Sequence, residues 1–258
     1  MQEIKIIFFD IDGTLVDMQK KQISEKAVEA LRKLKKNGIK ICIATGRPMV
    51  CLPRFEGVEF DAYVTFNGSY CYDAAGVIFS NPIAPEDVDR IIKNAAQIGR
   101  PVSVATADRV AANGWDQDLA DYFTLAHQVL TVAPDFEAVC REPVYQVMLG
   151  YRQGDEQSLL AGTKGIKITT AWERAADVIP AKGGKGLGIQ KLLEHYGLDK
   201  SQALAFGDGN NDIEMFQAVG TGVAMGNATP NLKAVADALC GHVAQDGIYH
   251  YCLEHKLI

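Results

Sequence analysis

The sequence predicts an α/β protein, a mainly parallel sheet with helices on both faces, interrupted by an inserted α+β domain. Three observations predict it. Short, wholly apolar runs alternate with amphipathic stretches of helical length. Those runs lack the in–out alternation of a half-exposed strand, as expected of strands covered on both faces. The middle of the chain then changes texture, and the opening pattern resumes after it.

The first run, Ile6 to Phe9 in "IIFFDIDGTLVD", reads as a buried strand. In "SEKAVEALRKLKKNG", Ser24 is a candidate N-cap, Ala27, Val28, Leu31 and Leu34 share one helical face, and Gly38 is a stop. "IKICIATG" is a second buried strand, "AYVTFNG" a third, and "SYCYDAAGVIFS" a hairpin about Ala75-Gly76. From about 81 to 180 the chain gives the helix "APEDVDRIIKNAAQIG", with Pro85 near its start, and shorter strand-like runs, "PVSVAT", "PVYQVMLGY" and "GIKITTAW". This is the expected insert, residues 81–180, leaving 1–80 and 181–258 as the core. In the last part, "GGKGLGIQKLLEHYG" is a helix up to Gly197, "QALAFGDGNND" a strand running into acids, and "GTGVAMGNATPNLKAVADA" a strand, turn and helix.

Composition narrows the function. The 258 residues carry a net charge of −6, which argues against a general nucleic-acid partner. No apolar run reaches membrane-spanning length, and Asp10 and Asp12 interrupt the first one too early for a signal peptide. The six cysteines form no CxxC pair and suit reduced, buried thiols, so a cytoplasmic location is expected.

The chemistry gathers at strand ends, where open parallel sheets place their ligands. Asp10 and Asp12 lie two apart and point the same way in extended backbone. Carboxylates that close repel unless a cation or a shared proton compensates, and Mg²⁺ is commonly held by one or two carboxylates plus phosphate oxygens. Gly13 lets the backbone turn closely around a ligand, and Thr14 adds a hydroxyl. In "FGDGNND", Asp208 and Asp212 repeat the pattern at a second strand end. An EF-hand loop starting at Asp208 is excluded, because Ile213 and Val219 stand where Gly and Glu are needed. In "ATGR", Thr45 and the Gly46 backbone N–H can donate to a phosphoryl oxygen, although Thr45 also reads as a cap before Pro48. "GGKG" puts Lys185 at a helix start, with Lys182 as a competitor. It is not a Walker loop, since Gly186 follows the lysine and residue 179 is Ile.

Four motifs in order, "DIDGT", "ATGR", "GGKG" and "GDGNND", resemble the haloacid dehalogenase superfamily of aspartate-dependent phosphatases. The pattern "VAMGNATPNLKAVAD" is similar to that of its Cof-type branch. The resemblance implies a Rossmann-like core with a C2-type cap, formed by the insert and covering the active site. It implies that Asp10 is the nucleophile forming an aspartyl-phosphate, and that Asp12 is the acid and then base. Thr45 and Gly46 would bind the phosphoryl group, Asn211 would contact it, and Lys185 would neutralise charge on it and on Asp10. Mg²⁺ would be held by the Asp10 and Asp208 side chains and the Asp12 carbonyl, with Asp212 orienting its neighbours. Arg47 is a candidate for an anionic substrate.

The activity so implied is hydrolysis of small phosphorylated metabolites, such as sugar phosphates or phosphorylated cofactors, by a monomer or weak homodimer. A phosphotransferase or phosphomutase of the same fold, and a non-catalytic phosphometabolite-binding protein, are the alternatives. Within the insert, Trp115, Tyr145, Gln146, Met148 and Trp172 are candidates to face the leaving group, core packing being the competing role for each. The five histidines form no metal-binding pattern.

Overall fold

The computed structural model describes residues 3–258. Among these the chain forms two units: residues 3–46, Pro53–Phe79 and Lys185–Ile258 in one, and Arg47–Leu52 with Ser80–Gly184 in the other. Arg47–Leu52, which sequence reasoning leaves with the core, belongs to the second unit. No helix among the described residues is long and apolar enough to cross a membrane.

The first unit is built on an eight-stranded sheet. Its strands run in the order Ala238–Leu239, Thr221–Ala224, Ala203–Gly207, Ile6–Phe9, Lys40–Ala44, Ala62–Thr65, Tyr70–Asp73 and Gly76–Ser80. The first six are parallel, and the Tyr70–Asp73 strand turns back antiparallel on Ala62–Thr65. The Ile6–Phe9 strand is wholly buried and sits between Lys40–Ala44 and Ala203–Gly207, with Phe9 level with both Ile43 and Phe206. That position explains its unbroken apolar run, since both faces and both edges are covered.

The pleat settles which helices cover which face. Phe9 stacks on Phe206 at 5.4 Å, and Phe206 meets Tyr251 of the helix Gly247–Glu254 edge-on. The helix Glu25–Lys36 packs beside that one. On the other face, Val64 lies against Gly188 of the helix Lys185–Tyr196, which packs on Ile213–Ala218. A side chain at 188 would clash with Val64, so the glycine sets how closely helix and sheet approach. Ser24 caps its helix as expected, its Oγ accepting from Ala27 N at 3.1 Å. The third strand stops at Thr65, short of the expected "FNG", which forms a separate turn.

The second unit has a five-stranded antiparallel sheet in the order Ile166–Trp172, Ala175–Pro180, Gln146–Gly150, Val102–Ala105 and Val110–Ala112. Two of these strands, Val110–Ala112 and Ala175–Pro180, are not separated in the sequence reading. One sheet face, with Val102, Val104, Val147, Leu149 and Val178, joins Val88, Ile91 and Ala95 of the helix Pro85–Gln97 in an apolar core. The helix Gln117–Leu125 packs on the Gln146–Gly150 strand from the opposite side, with Tyr122 donating to Asp177 at 3.0 Å.

That helix is anchored electrostatically. Asp118 is buried and takes Arg100 at 2.8 Å, Arg152 at 2.7 Å and Arg174 at 2.6 Å. Arg174 also lies over the Trp172 ring, 4.9 Å from its centroid. The bond from Arg152, then those from Arg174 and Arg100, hold the Asp118 carboxyl well below its ordinary 3.8, against the opposing effect of burial. A depressed pKa contributes stability above the unfolded value, lost as pH falls through the folded one. Asp118→Asn is therefore expected to cost about 2–3 kcal/mol at pH 7. In urea melts the gap from the parent protein should narrow steadily below about pH 4.

Candidate active site

The site belongs entirely to the first unit, at the carboxyl ends of its central parallel strands. The first strand ends at Phe9, and Asp10 N–H still bonds across to Phe206 O at 3.1 Å, continuing the ladder one residue further. Asp10 is thereby fixed beside the end of the Ala203–Gly207 strand, where Asp208 begins the next loop. The chain then curls: Leu15 and Val16 both donate to Ile11 O, and Gly13 N–H to Val16 O. Gly13 takes a positive φ of 84°, and any side chain there would collide with the Asp208 carboxylate. Glycine is required at that point on both counts.

Lys185 is the first residue of its helix and is fully buried. Its Nζ donates to Asp10 Oδ1 and to Asp212 Oδ1, at 2.6 Å each. Burial lowers a lysine pKa, but Asp10 and Asp212 more than reverse this, so the ammonium stays charged. Lys182, the alternative in the sequence, is exposed and belongs to the second unit. The helix reaches this close because residue 186 is Gly: an added Cβ would sit 2.5 Å from Glu214 O. The feature that excludes a Walker loop is thus explained by helix packing.

Asp212 spends both its oxygens inside the protein. Oδ1 accepts from Lys185, and Oδ2 accepts from the backbone N–H groups of Asp208 and Gly209, at 2.9 Å each. Asp208 differs. Thr14 Oγ1 donates to its Oδ1 at 3.0 Å, and Asn227 Nδ2 approaches its Oδ2 at 3.4 Å. The Thr14 hydroxyl, expected to meet a ligand, is thus turned to a neighbouring carboxylate. Asn227 also donates to Gly13 O at 2.7 Å and accepts from Val243 N at 3.0 Å, tying both acidic loops to the C-terminal segment.

Carboxylate oxygens of Asp10, Asp208 and Asp212 lie within 4.8 Å of one another. Burial pushes the Asp10 carboxyl up from 3.8 to about 7; Lys185 opposes this, while Asp212 and Asp12 add to it. Burial, then Asp10 and Asp212, push Asp208 well above its ordinary value. One ammonium does not balance these acids, and a divalent cation fits the remaining demand. All three carboxylates could offer an oxygen to such an ion, and Asp212 is the one the protein holds most firmly, through Lys185 and two backbone N–H groups.

The phosphate-binding candidates divide. Thr45 and Asn67 share the Asn67 N–H to Thr45 O bond at 3.1 Å, and Asn211 Nδ2 donates to Asn67 Oδ1 at 3.2 Å. Thr45, Gly46 and Asn211 are therefore joined through Asn67, a residue not singled out in the sequence. Its only trace there is the Asn-Gly pair after an apolar run. Arg47 belongs to the second unit, where its Nη1 donates to Cys51 O and Ala126 O at 3.1 and 2.9 Å. Of the candidates in the insert, Tyr145, Gln146 and Met148 are buried, and the Tyr145 hydroxyl bonds Ser80 Oγ at 2.9 Å. Trp172 stacks on Tyr122, and Trp115 is exposed.

A sheet of this order, with acids from two parallel strand ends around one buried lysine, makes a candidate active site of an α/β enzyme. The profile of the haloacid dehalogenase-like hydrolases matches residues 7–252. The chain belongs to this family and is a phosphatase within it. It is 32% identical to the provisionally named phosphatase YkrA of Bacillus subtilis (strain 168), over 98% of each chain. It is 28% identical to the pyridoxal phosphate phosphatase YbhA of Escherichia coli (strain K12), over 98% of this chain and 99% of that one. Among solved structures, the subclass IIB sugar phosphatase BT4131 superposes with a TM-score of 0.91 at 29% identity, covering 98% of this chain and all of that one.

A folded-state pKa raised above the unfolded one gives stability that is present at low pH and lost as pH climbs. For Asp10 that window runs from 3.8 to about 7. In EDTA the melting temperature is expected to fall across it, and saturating magnesium chloride should restore more stability at pH 8 than at pH 5. Calorimetric scans at both pH values, with and without the metal, measure this.

Proposed function

We propose that the chain is a Mg²⁺-dependent phosphomonoesterase that hydrolyses small phosphorylated metabolites through an aspartyl-phosphate on Asp10. One observation carries the reading: a fully buried lysine grips Asp10 while the Asp208 carboxylate lies beside them across adjacent strands. The sugar phosphatase and the pyridoxal phosphate phosphatase among the relatives support a small phosphorylated substrate.

Phosphoryl transfer is limited by positioning and charge more than by nucleophile strength. In the first half-reaction a carboxylate oxygen of Asp10 bonds to phosphorus, the ester P–O bond breaks, and Asp12 gives its proton to the leaving oxygen. In the second, Asp12 takes a proton from water as the water oxygen bonds to phosphorus, releasing Asp10 and inorganic phosphate. Lys185 holds Asp10 in place and offsets negative charge between carboxylate and phosphate. Thr45, the Gly46 backbone and Asn211 bind the phosphoryl oxygens, and Asp212 keeps Lys185 and the Asp208 loop aligned. Asp10, Asp208 and the Asp12 carbonyl would hold Mg²⁺, which when bound neutralises the carboxylates and screens their repulsion of the substrate.

Asp10→Asn is expected to lower turnover of a generic aryl phosphate by at least about a thousandfold while leaving the fold intact by circular dichroism. Full activity in that variant rejects Asp10 as nucleophile. Asp208→Ala should shift the Mg²⁺ titration to higher concentration, and an unchanged titration rejects its ligand role. A Mg²⁺-supplemented screen against sugar phosphates and phosphorylated cofactors identifies the substrate.

A further inference from the structure

At the end of the Ala62–Thr65 strand the backbone does something costly. Phe66, Asn67 and Gly68 all adopt positive φ, at 52°, 49° and 90°. Left-handed backbone is cheap for glycine, tolerable for asparagine and unfavourable for phenylalanine. Consecutive residues held there persist only where the surroundings enforce them, and such strain collects at functional sites.

The turn delivers one buried polar side chain, Asn67, 2% exposed. Its backbone N–H donates to Thr45 O at 3.1 Å, and its carboxamide oxygen accepts from Asn211 Nδ2 at 3.2 Å. The same carboxamide fills the space over Gly46: a Cβ there would lie 3.0 Å from both its oxygen and its nitrogen. Gly46 thus serves a second purpose, giving room for the Asn67 side chain. Two segments far apart in sequence, 45–46 and 211, meet on this one residue, Thr45 through its backbone N–H and Gly46 and Asn211 through its carboxamide. A turn needing only left-handed backbone would be better served by glycine at 67.

We propose that Asn67 is a positioning residue for phosphate binding, holding the Asn211 carboxamide and backing the Thr45–Gly46 turn so that both address the same phosphoryl group. The inference rests on the phosphatase reading of this site. In this role Asn67 acts through its neighbours, Asn211 and the Thr45–Gly46 turn, rather than on the reacting atoms. Misplacing such a group by about an ångström costs up to a hundredfold in rate.

Asn67→Gly separates backbone from side chain. Glycine accepts the φ of 49° without strain, so the melting temperature should hold or rise. The expected loss in kcat/KM on an aryl phosphate is about ten- to a hundredfold. Inhibition by inorganic phosphate should weaken in parallel. Asn211→Ala should cause a similar loss, and the double variant little more than either alone, since one unit is being removed. Unchanged kcat/KM and phosphate inhibition in Asn67→Gly would overturn the proposal, leaving Asn67 a turn residue. So would losses at 67 and 211 that simply multiply.

Asp10→Asn, assayed alongside, separates the two readings: full activity there rejects the nucleophile, whatever residue 67 does. Calorimetric titration of inorganic phosphate in the presence of Mg²⁺ needs no turnover. Weaker binding to Asn67→Gly than to the parent supports the positioning role, and equal binding rejects it.

Discussion

The ammonium of Lys185 is buried completely and shared between Asp10 and Asp212 at 2.6 Å each. A charge in that position is tolerable because it is paired with carboxylates, and they in turn depend on it: removing Lys185 would leave them uncompensated in low dielectric. The surrounding structure follows from this requirement. The Lys185–Tyr196 helix must start within reach of the first strand, which Gly186 and Gly188 permit by letting it press on Glu214 O and Val64. Asp212 must face inward, and Gly207 leaves it room, since a Cβ there would lie 2.6 Å from its Oδ2. The backbone N–H groups of Asp208 and Gly209 then fix Asp212's second oxygen.

Much of this was legible in the sequence because the relevant signals are local. Apolar runs ending in acids mark buried strands whose ends carry chemistry, and Asp10, Asp208 and Asp212 do converge. Ser24, Gly38 and Gly197 bound their helices for reasons of capping and left-handed backbone. What stayed hidden depends on partners remote in the chain. Nothing near Thr14 shows that its hydroxyl turns to Asp208, 194 residues away. Asn227 reads as part of a turn, yet it joins Gly13 O to Val243 N. Asn67 reads as the tail of a strand, because Phe66 argues locally for extended rather than left-handed backbone. The Val110–Ala112 and Ala175–Pro180 strands escaped because they are short or follow their neighbour with almost no turn.

Two kinds of polar burial operate in this chain. In the first unit, acids crowd around one lysine and remain short of positive charge, a state that suits binding a cation and an anionic substrate in turn. In the second, three arginines converge on Asp118, which is held ionised and needs nothing further. The contrast is in the balance of charge rather than in depth: both Asp10 and Asp118 are 6% exposed. Structural ion clusters close their own account; a site left with unspent electrostatic demand is one that expects a visitor.

The strand order carries a consequence for how the chain is made. Ile6–Phe9 lies between Lys40–Ala44, which follows soon after it, and Ala203–Gly207, which comes only after the whole Ser80–Gly184 segment. During synthesis one flank of this apolar strand stays open until the ribosome has produced the whole intervening second unit. Such delayed, non-local pairing is slow and leaves a sticky edge uncovered in the meantime. A strand made before its second neighbour is thus among the last to be enclosed, and the vulnerable interval is set by the length of what is inserted between them.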